Sequence, residues 1–238
     1  FSTAAVLFCS SVVLLFIGRA RLIHIAGLLT TAVVGVTMVV LLAMVLPEET
    51  VTKVLPRFPT WKQRVETYIG NGETIADPDK NYQSEQAKIA VAKGGLFRLA
   101  PGKSDQRNFL PHPYSDFIYA IILEEYGMFG GFFVLFLYLI LLLRAVKIAT
   151  RSTKPFAALL AIGCCFSLIF QAMINMAVAV NLFPVTGQPL PLISMGGTSI
   201  WFTSISIGMI LSVSRETESI SKEHNSQIEP AEPQITIA

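Results

Sequence analysis

The feature that most constrains this chain is a series of five apolar runs, each close to the length of a membrane-spanning helix. They cover residues 2–18, 22–46, 116–143, 156–182 and 192–213. A helix needs about 20 mostly apolar residues to cross the roughly 30 Å of hydrocarbon in a bilayer. Backbone N–H and C=O groups find no water there, so runs of this kind pair them internally as helices. The sequence therefore predicts an all-α integral membrane protein, a polytopic helix bundle with five spans present.

The overall composition agrees with a membrane protein and argues against other classes. Only 14% of the 238 residues are charged and 53% are hydrophobic, whereas soluble domains average about 25% charged residues. The net charge is +2 and no long run of Lys or Arg occurs among aromatic residues, so no nucleic-acid partner is predicted. The three cysteines lie inside apolar runs and two of them are adjacent, unlike a disulfide framework.

The short loops between the spans predict the orientation, because Lys and Arg concentrate in short loops on the cytoplasmic side. Arg19 and Arg21 separate the first two spans, and four basic residues within 144–154 separate the third from the fourth. The resulting outward N-terminus predicts further spans upstream of Phe1. Four segments follow: two spans in residues 1–46, a large extracytoplasmic loop in 47–115, three spans in 116–214 and a disordered cytoplasmic tail in 215–238.

The long polar segment 47–115 is expected to be ordered in part. Connections between elements usually have about 4–6 residues, and much longer loops are functional or disordered. Residues 82–93 are rich in helix formers and are followed by Gly94 and Gly95, which is a signal for the end of a helix. Aromatic residues and prolines are spread among the charges. We therefore expect this loop to be partly helical and to lie over the mouth of the bundle.

Four acidic residues are candidates for chemistry. Pro78 disfavours a helical conformation at Asp77 and has no amide hydrogen to offer its carboxylate, so Asp77 is either available or an ordinary exposed turn residue. Glu124 and Glu125 lie inside the third span. A carboxylate there is costly and marks a polar cavity, a pathway or an ion pair with a helix outside this sequence. Asp116, at the mouth of that span, is also consistent with a residue that complements the helix dipole.

Polar residues also occur in and after the fourth span. Gln171 and Asn175 are four residues apart and therefore face the same way, either to bind helices together or to line a site. Residues 184–191 contain three prolines, and 194–199 begin with Ser194 and contain two glycines. An irregular backbone at the membrane boundary is tolerated only where it lines a cavity or is covered by protein.

The motifs of soluble enzymes do not occur in this sequence. There is no Cys or His cluster with metal-ligand spacing, no phosphate-binding loop and no dinucleotide-binding glycine pattern, so no metal site is predicted. The residues alone predict a polytopic membrane protein with an outward-facing polar site. It is either a transporter or an enzyme that acts on a lipid-linked substrate.

A set of short motifs occurs in order through nearly the whole chain. The motifs are Phe1-Ser2-Thr3-Ala4, Arg64, Asp77-Pro78, Tyr82-Gln83, 94–97, Leu110-Pro111, 115–118, 124–127, Gln171, Asn175, 184–187, 189–191 and 194–199. Each motif is weak, but their order and spacing make the set specific, and together they resemble the SEDS family of bacterial shape, elongation, division and sporulation proteins. Met195 and Gln188 resemble the division-type branch of the family rather than its elongation-type branch.

The resemblance implies a ten-span protein of which this is the C-terminal half. It implies a peptidoglycan glycosyltransferase that polymerises lipid II during cell division and releases undecaprenyl pyrophosphate. The implied location is the bacterial inner membrane, with the site facing the periplasm. The implied partners are a class B penicillin-binding protein and other divisome proteins. No cofactor is required by the resemblance, and a divalent cation such as Mg²⁺ is left open. The alternatives are a lipid II flippase and the elongation-type paralogue.

The resemblance also assigns roles to residues. Asp77 falls on the family's acidic loop residue and is expected to be the general base. Glu124 and Glu125 lie too deep for that role, and Asp116 lies at a helix start, where the dipole weakens a carboxylate as a base. The other polar residues of the family-like stretches are expected to bind substrate: Arg64, Lys88, Lys93, Asp116, Glu124, Glu125, Gln171, Asn175 and Ser194.

Overall fold

The computed structural model describes residues 2–45, 51, 58–60, 62, 78–98, 101–110 and 114–228. Within these residues the chain forms helices and no strand, so the predicted all-α membrane fold is confirmed. A short 3₁₀ turn covers Gln106–Asn108. The helices are α1 (Ser2–Ile17), α2 (Leu22–Val45), α3 (Pro78–Gly94), α4 (Ile118–Arg151), α5 (Pro155–Ala179) and α6 (Gly197–Ile228).

Four of these helices, α2, α4, α5 and α6, are long and apolar enough to cross a membrane. The helix α1 is also apolar, but its 16 residues rise only about 24 Å at 1.5 Å per residue. That length is shorter than the roughly 30 Å of hydrocarbon. Length and composition therefore support four of the five predicted spans, and the span at residues 2–18 stays a prediction.

Two helices end later than the sequence predicted. The helix α4 continues to Arg151 instead of residue 143, because no Gly or Pro interrupts the chain before Pro155 opens α5. The helix α6 continues to Ile228, so the prediction of a disordered tail is wrong for residues 215–228. The predicted disorder of residues 229–238 lies outside the described residues.

Charged residues account for the extra length of α6. Glu and Lys are good helix formers, and they are frequent after Arg215. The Nζ atom of Lys154 lies 2.5 Å from Oε1 of Glu216. This ion pair joins the first polar turn of α6 to the residue that precedes α5.

The helix α5 is central and contacts α1, α4 and α6. Its buried positions include the small residues Ala161, Cys165 and Ala172. Small residues let helix backbones approach closely in a membrane. At Gly163 a Cβ atom would lie 3.0 Å from the side chain of Leu14, so α1 packs directly against α5.

The polar helix α3 lies against the N-terminal part of α4. The predicted helix at residues 82–93 is confirmed, and it begins earlier, at Pro78. Its buried face contains Ala87, Ala90 and Gly94, which recur at a helical spacing. A Cβ atom at Gly94 would overlap the backbone carbonyl of Leu123. The two helices can therefore approach this closely only with glycine at this position.

The segment that follows α3 packs against α4 at a break in that helix. At Gly127 the backbone has φ 68° and ψ −169° inside the helix. The amide of Met128 donates to the carbonyl of Gly95 over 3.0 Å. A Cβ atom at Gly127 would lie 2.8 Å from the carbonyl oxygen of Leu96. The glycine thus provides both the unusual φ and the space for the incoming chain.

The close approach of α3 and α4 predicts the effect of a single methyl group. We expect Gly94→Ala to destabilise the protein by about 1–3 kcal/mol, because the Cβ meets backbone that has little freedom to move. The control is Gly208→Ala in α6, where nothing lies within 4 Å of the new Cβ and alanine favours the helix. The melting temperatures of the full-length variants in detergent test this. Equal melting temperatures for both would contradict the packing of α3 on α4.

Candidate functional site

The connection between α5 and α6, residues 180–196, is irregular and is called the Pro-rich loop below. Asn175, near the end of α5, donates from Nδ2 to the carbonyl of Gln188 over 2.6 Å and to the carbonyl of Asp116 over 2.9 Å. One turn earlier, Nε2 of Gln171 donates to the carbonyl of Pro189 over 3.1 Å. These two amides face the same way, as their spacing predicted. They provide donors for two carbonyls of the irregular loop, which has no regular backbone pairing of its own, and for one carbonyl of the segment before α4.

Hydroxyl groups hold the other half of the Pro-rich loop. The Oγ atom of Ser194 donates to the carbonyl of Ser115 over 2.5 Å and accepts the amide of Leu190 over 2.7 Å. The hydroxyl of Tyr138, from the middle of α4, donates to the carbonyl of Pro191. Asn175, Ser194 and Tyr138 are all buried. The Pro-rich loop is therefore bound by α5 through Asn175, by α4 through Tyr138 and by the segment before α4 through the carbonyl of Ser115.

The residues that lead into α4 form the second side of this cluster. The amide of Met195 donates to the carbonyl of Tyr114 over 2.8 Å. The Oγ atom of Ser115 donates to Oδ1 of Asp116 over 2.9 Å. Gly187 has φ +68°, and a Cβ atom there would lie 3.6 Å from Oδ2 of Asp116. The carboxyl group of Asp116 thus lies beside the Pro-rich loop at the end of the bundle.

Gln188 connects this cluster to α1. It is buried, and its Nε2 atom donates to Oγ1 of Thr3 over 2.7 Å. The sequence analysis named Gln188 as a residue typical of one branch of the family and not as a site residue. It did not predict any role for Tyr138. A single phenol hydroxyl within an otherwise apolar run was the available signal for Tyr138, since a buried tyrosine hydroxyl usually has a partner.

Glu124 and Glu125 form a separate cluster with the loop that follows α3. Glu124 is fully buried. Its Oε2 atom accepts the hydroxyl of Ser104, and its Oε1 atom accepts the amide of Asp105 over 3.3 Å. Glu125 accepts the amide of Gly102 through Oε2 over 3.0 Å. The two carboxylates therefore bind loop groups and hold residues 101–105 against α4, and substrate binding by them stays a prediction.

The basic candidates do not converge on these carboxylates. Lys88 is exposed on α3. Lys93 is five residues further on, which places it about 140° around the helix. Its Nζ atom lies 3.4 Å from Oδ2 of Asp105. Arg64 and Asp77 lie outside the described residues, so their predicted roles stay predictions.

Helix position does not distinguish Asp77 from Asp116, contrary to the expectation from sequence. The helix α3 begins at Pro78, which directly follows Asp77 in the chain. The N-cap residue of α4 is Phe117 and its first residue is Ile118, so Asp116 lies two residues before that helix and also next to a helix start. The choice between the two acids therefore depends on the family's motif and not on the helix dipole.

No group of three or more His, Cys, Asp or Glu side chains in the described part of the chain is placed to hold a metal ion. The possible use of a divalent cation stays a prediction.

A bundle of apolar helices with a hydrogen-bonded polar cluster at one end defines this chain as a polytopic membrane protein. Residues 1–219 match the family model FTSW_RODA_SPOVE, described as a cell cycle protein. The chain therefore belongs to this family, the SEDS family that its motifs resemble.

Named relatives of this chain occur in several bacteria. Stage V sporulation protein E of Bacillus subtilis (strain 168) is 34% identical over 215 residues, covering 90% of this chain and 54% of the relative. The probable peptidoglycan glycosyltransferase FtsW of Hydrogenovibrio crunogenus is 40% identical over 155 residues, covering 63% of this chain and 40% of the relative. The chain thus spans about half or less of the length of these relatives.

A solved structure also resembles this chain. It is described as "Structural coordination of polymerization and crosslinking by a peptidoglycan synthase complex". The sequence identity is 28% and the TM-score is 0.52, covering 76% of this chain and 49% of the solved chain.

The amide of Asn175 predicts a large stability effect. We expect Asn175→Leu to destabilise the protein by at least about 2 kcal/mol, because the carbonyls of Gln188 and Asp116 would be left buried without this donor. The matched control is Gln171→Leu on the same helix face, which removes one hydrogen bond from a less buried amide. Thermal unfolding of the full-length variants measures both. A loss for Gln171→Leu equal to or larger than that for Asn175→Leu would contradict the central role of Asn175.

Proposed function

We propose that the full-length protein is a peptidoglycan glycosyltransferase that polymerises lipid II into glycan strands during cell division. Membership of the family and relatives named as probable peptidoglycan glycosyltransferases FtsW support this proposal. The proposed location is the bacterial inner membrane, with the site facing the periplasm. The proposed partner is a class B penicillin-binding protein, in line with the peptidoglycan synthase complex that the chain resembles.

The position of the polar cluster is the observation that carries the choice of an enzyme over a flippase. Gln171 and Asn175 lie in the last turns of α5, and both bind the Pro-rich loop at that end of the bundle. The earlier part of α5, residues 155–170, is apolar apart from Ser167 and its two cysteines. A flippase needs a polar path along the helices, whereas an enzyme that acts on headgroup sugars needs polar groups at the membrane surface.

The proposed reaction needs a base and a site for the leaving group. The 4-hydroxyl oxygen of one sugar attacks the anomeric carbon of another, and the bond from that carbon to the pyrophosphate oxygen breaks. The hydroxyl proton passes to the carboxylate of Asp77, and the bonding electrons leave with undecaprenyl pyrophosphate. Arg64, Lys88 and Lys93 are the proposed groups for the charge on the pyrophosphate, since cations stabilise such a leaving group.

Asp77 gives the sharpest test of the reaction. We expect Asp77→Asn to lower lipid II polymerisation by about 10²- to 10⁴-fold, the usual contribution of a general base. Asp79→Asn, two residues away, serves as the matched control and is expected to have a much smaller effect. Polymerisation by the full-length protein with its penicillin-binding partner is measured from the length of the glycan product.

Binding measurements separate loss of chemistry from loss of structure. Binding of the partner and of lipid II by the Asp77→Asn variant is expected to match the unchanged protein. Near-normal polymerisation by this variant would remove Asp77 from the reaction and leave Asp116 as the acid to test. Transport of lipid II across vesicles without any polymer would instead support the flippase.

The orientation of the bundle predicts which residues a membrane-impermeant reagent reaches. Lys103 lies exposed in the loop after α3, and Thr153 lies exposed between α4 and α5. In full-length protein with its other cysteines replaced, Lys103→Cys is expected to react with a thiol reagent outside intact cells and Thr153→Cys is not. The reverse labelling pattern would invert the topology and place the polar cluster on the cytoplasmic side.

A further inference from the structure

A second polar feature lies at the opposite end of the bundle from the Pro-rich loop. The last turns of α4 and the polar half of α6 enclose a pocket of about 840 Å³, called the basic pocket below. The helix α5 has 25 residues and rises about 37 Å from the pocket end to the loop end. The polar residues that line the basic pocket are Arg144, Lys147, Arg151, Thr153, Ser214, Thr217 and Glu218.

Three cations line one wall of the basic pocket. Arg144, Lys147 and Arg151 follow one another at intervals of three and four residues in α4, so they lie on one face of that helix. Like charges at this spacing repel and destabilise a helix. A bound anion would attract all three cations and offset their mutual repulsion.

Among the side chains that the structure describes, two acidic residues lie near these three cations. The carboxylate of Glu216 pairs with Lys154, which lies outside the pocket lining. Glu218 is the acidic residue in the lining. The lining therefore carries three positive charges against one negative charge.

The height of the basic pocket points to a membrane ligand. On α4 the apolar run ends at Leu143, directly before Arg144, and on α6 it ends at Val213, directly before Ser214. Val213 packs with Ala157 and Ala161 in an apolar cluster, and Ile148 packs against this cluster. The charged wall thus begins where apolar side chains end on both helices, which is the level of lipid headgroups.

We propose that the basic pocket binds the phosphodiester headgroup of an anionic phospholipid. The cations of α4 pair with the phosphate oxygens, and the hydroxyl of Ser214 lies on the facing wall as a further donor. The apolar runs that end at Leu143 on α4 and at Val213 on α6 lie on the membrane side of these polar groups, where the glycerol and the first acyl carbons would be. Basic pockets between membrane helices recognise such headgroups in general.

The test is lipid binding by the full-length protein in detergent, measured by native mass spectrometry. The probe is phosphatidylglycerol, and the comparison is phosphatidylcholine, which is zwitterionic and has no net charge. The variant Arg144→Gln/Lys147→Gln/Arg151→Gln removes the charged wall. The matched control, Arg19→Gln/Arg21→Gln/Arg215→Gln, removes three charges that do not line the pocket.

We expect the Kd for phosphatidylglycerol to rise at least about tenfold in the pocket variant, because the three cations that line the pocket pair directly with the phosphate in the proposed complex. The control variant is expected to change it less than about twofold. The melting temperature of each variant without added lipid shows whether it is folded. For a pocket variant that unfolds, Ser214→Glu supplies the second test, since an added carboxylate should also repel the lipid.

Three results would overturn the proposal. Equal affinity for the two lipids would show that charge is not recognised. Equal losses in the pocket and control variants would show that only net charge matters. Displacement of the lipid by inorganic phosphate or by an acidic peptide at concentrations similar to those of free phosphatidylglycerol would assign the pocket to a water-soluble ligand.

Discussion

An irregular backbone at the membrane boundary is stable only if its carbonyl and amide groups have partners, and the connection from α5 to α6 depends on this constraint. Asn175 supplies two of these partners. One buried amide donates to the carbonyls of Gln188 and Asp116 and so joins the Pro-rich loop to the residues before α4. The helices α1, α4 and α5 and the Pro-rich loop meet near that point.

A second constraint is space for the long loop. Residues 95–98 pack against α4 at the point where Gly127 interrupts the helix. The amide of Met128, the next residue, donates to the carbonyl of Gly95. Glu124 and Glu125 then bind the groups of residues 101–105. Carboxylates that would be costly in hydrocarbon are stable here because the loop surrounds them with donors. The described residues 78–98 and 101–110 of the loop therefore pack on the bundle and form one structure with it.

The two ends of the bundle differ in how they satisfy charge and polarity. At the loop end, neutral amides and hydroxyls pair with backbone carbonyls in a buried network, which gives rigidity. At the other end, Arg144, Lys147 and Arg151 lie exposed on one helix face, so their charges remain available to a ligand. A rigid polar surface suits the positioning of reactants for chemistry, whereas an open charged pocket suits an exchangeable anionic ligand.

Apolar length and helical periodicity are local properties, so the amino-acid sequence was sufficient to predict the helical membrane class, the helix at α3 and the shared direction of Gln171 and Asn175. It also contains the family's motifs. Three features became visible only in the folded protein: Glu124 and Glu125 bind a loop, Tyr138 and Gln188 belong to the polar cluster, and α4 breaks at Gly127. Those contacts join residues far apart in the chain, such as Gln188 and Thr3, and no local pattern encodes which distant backbone group each side chain meets.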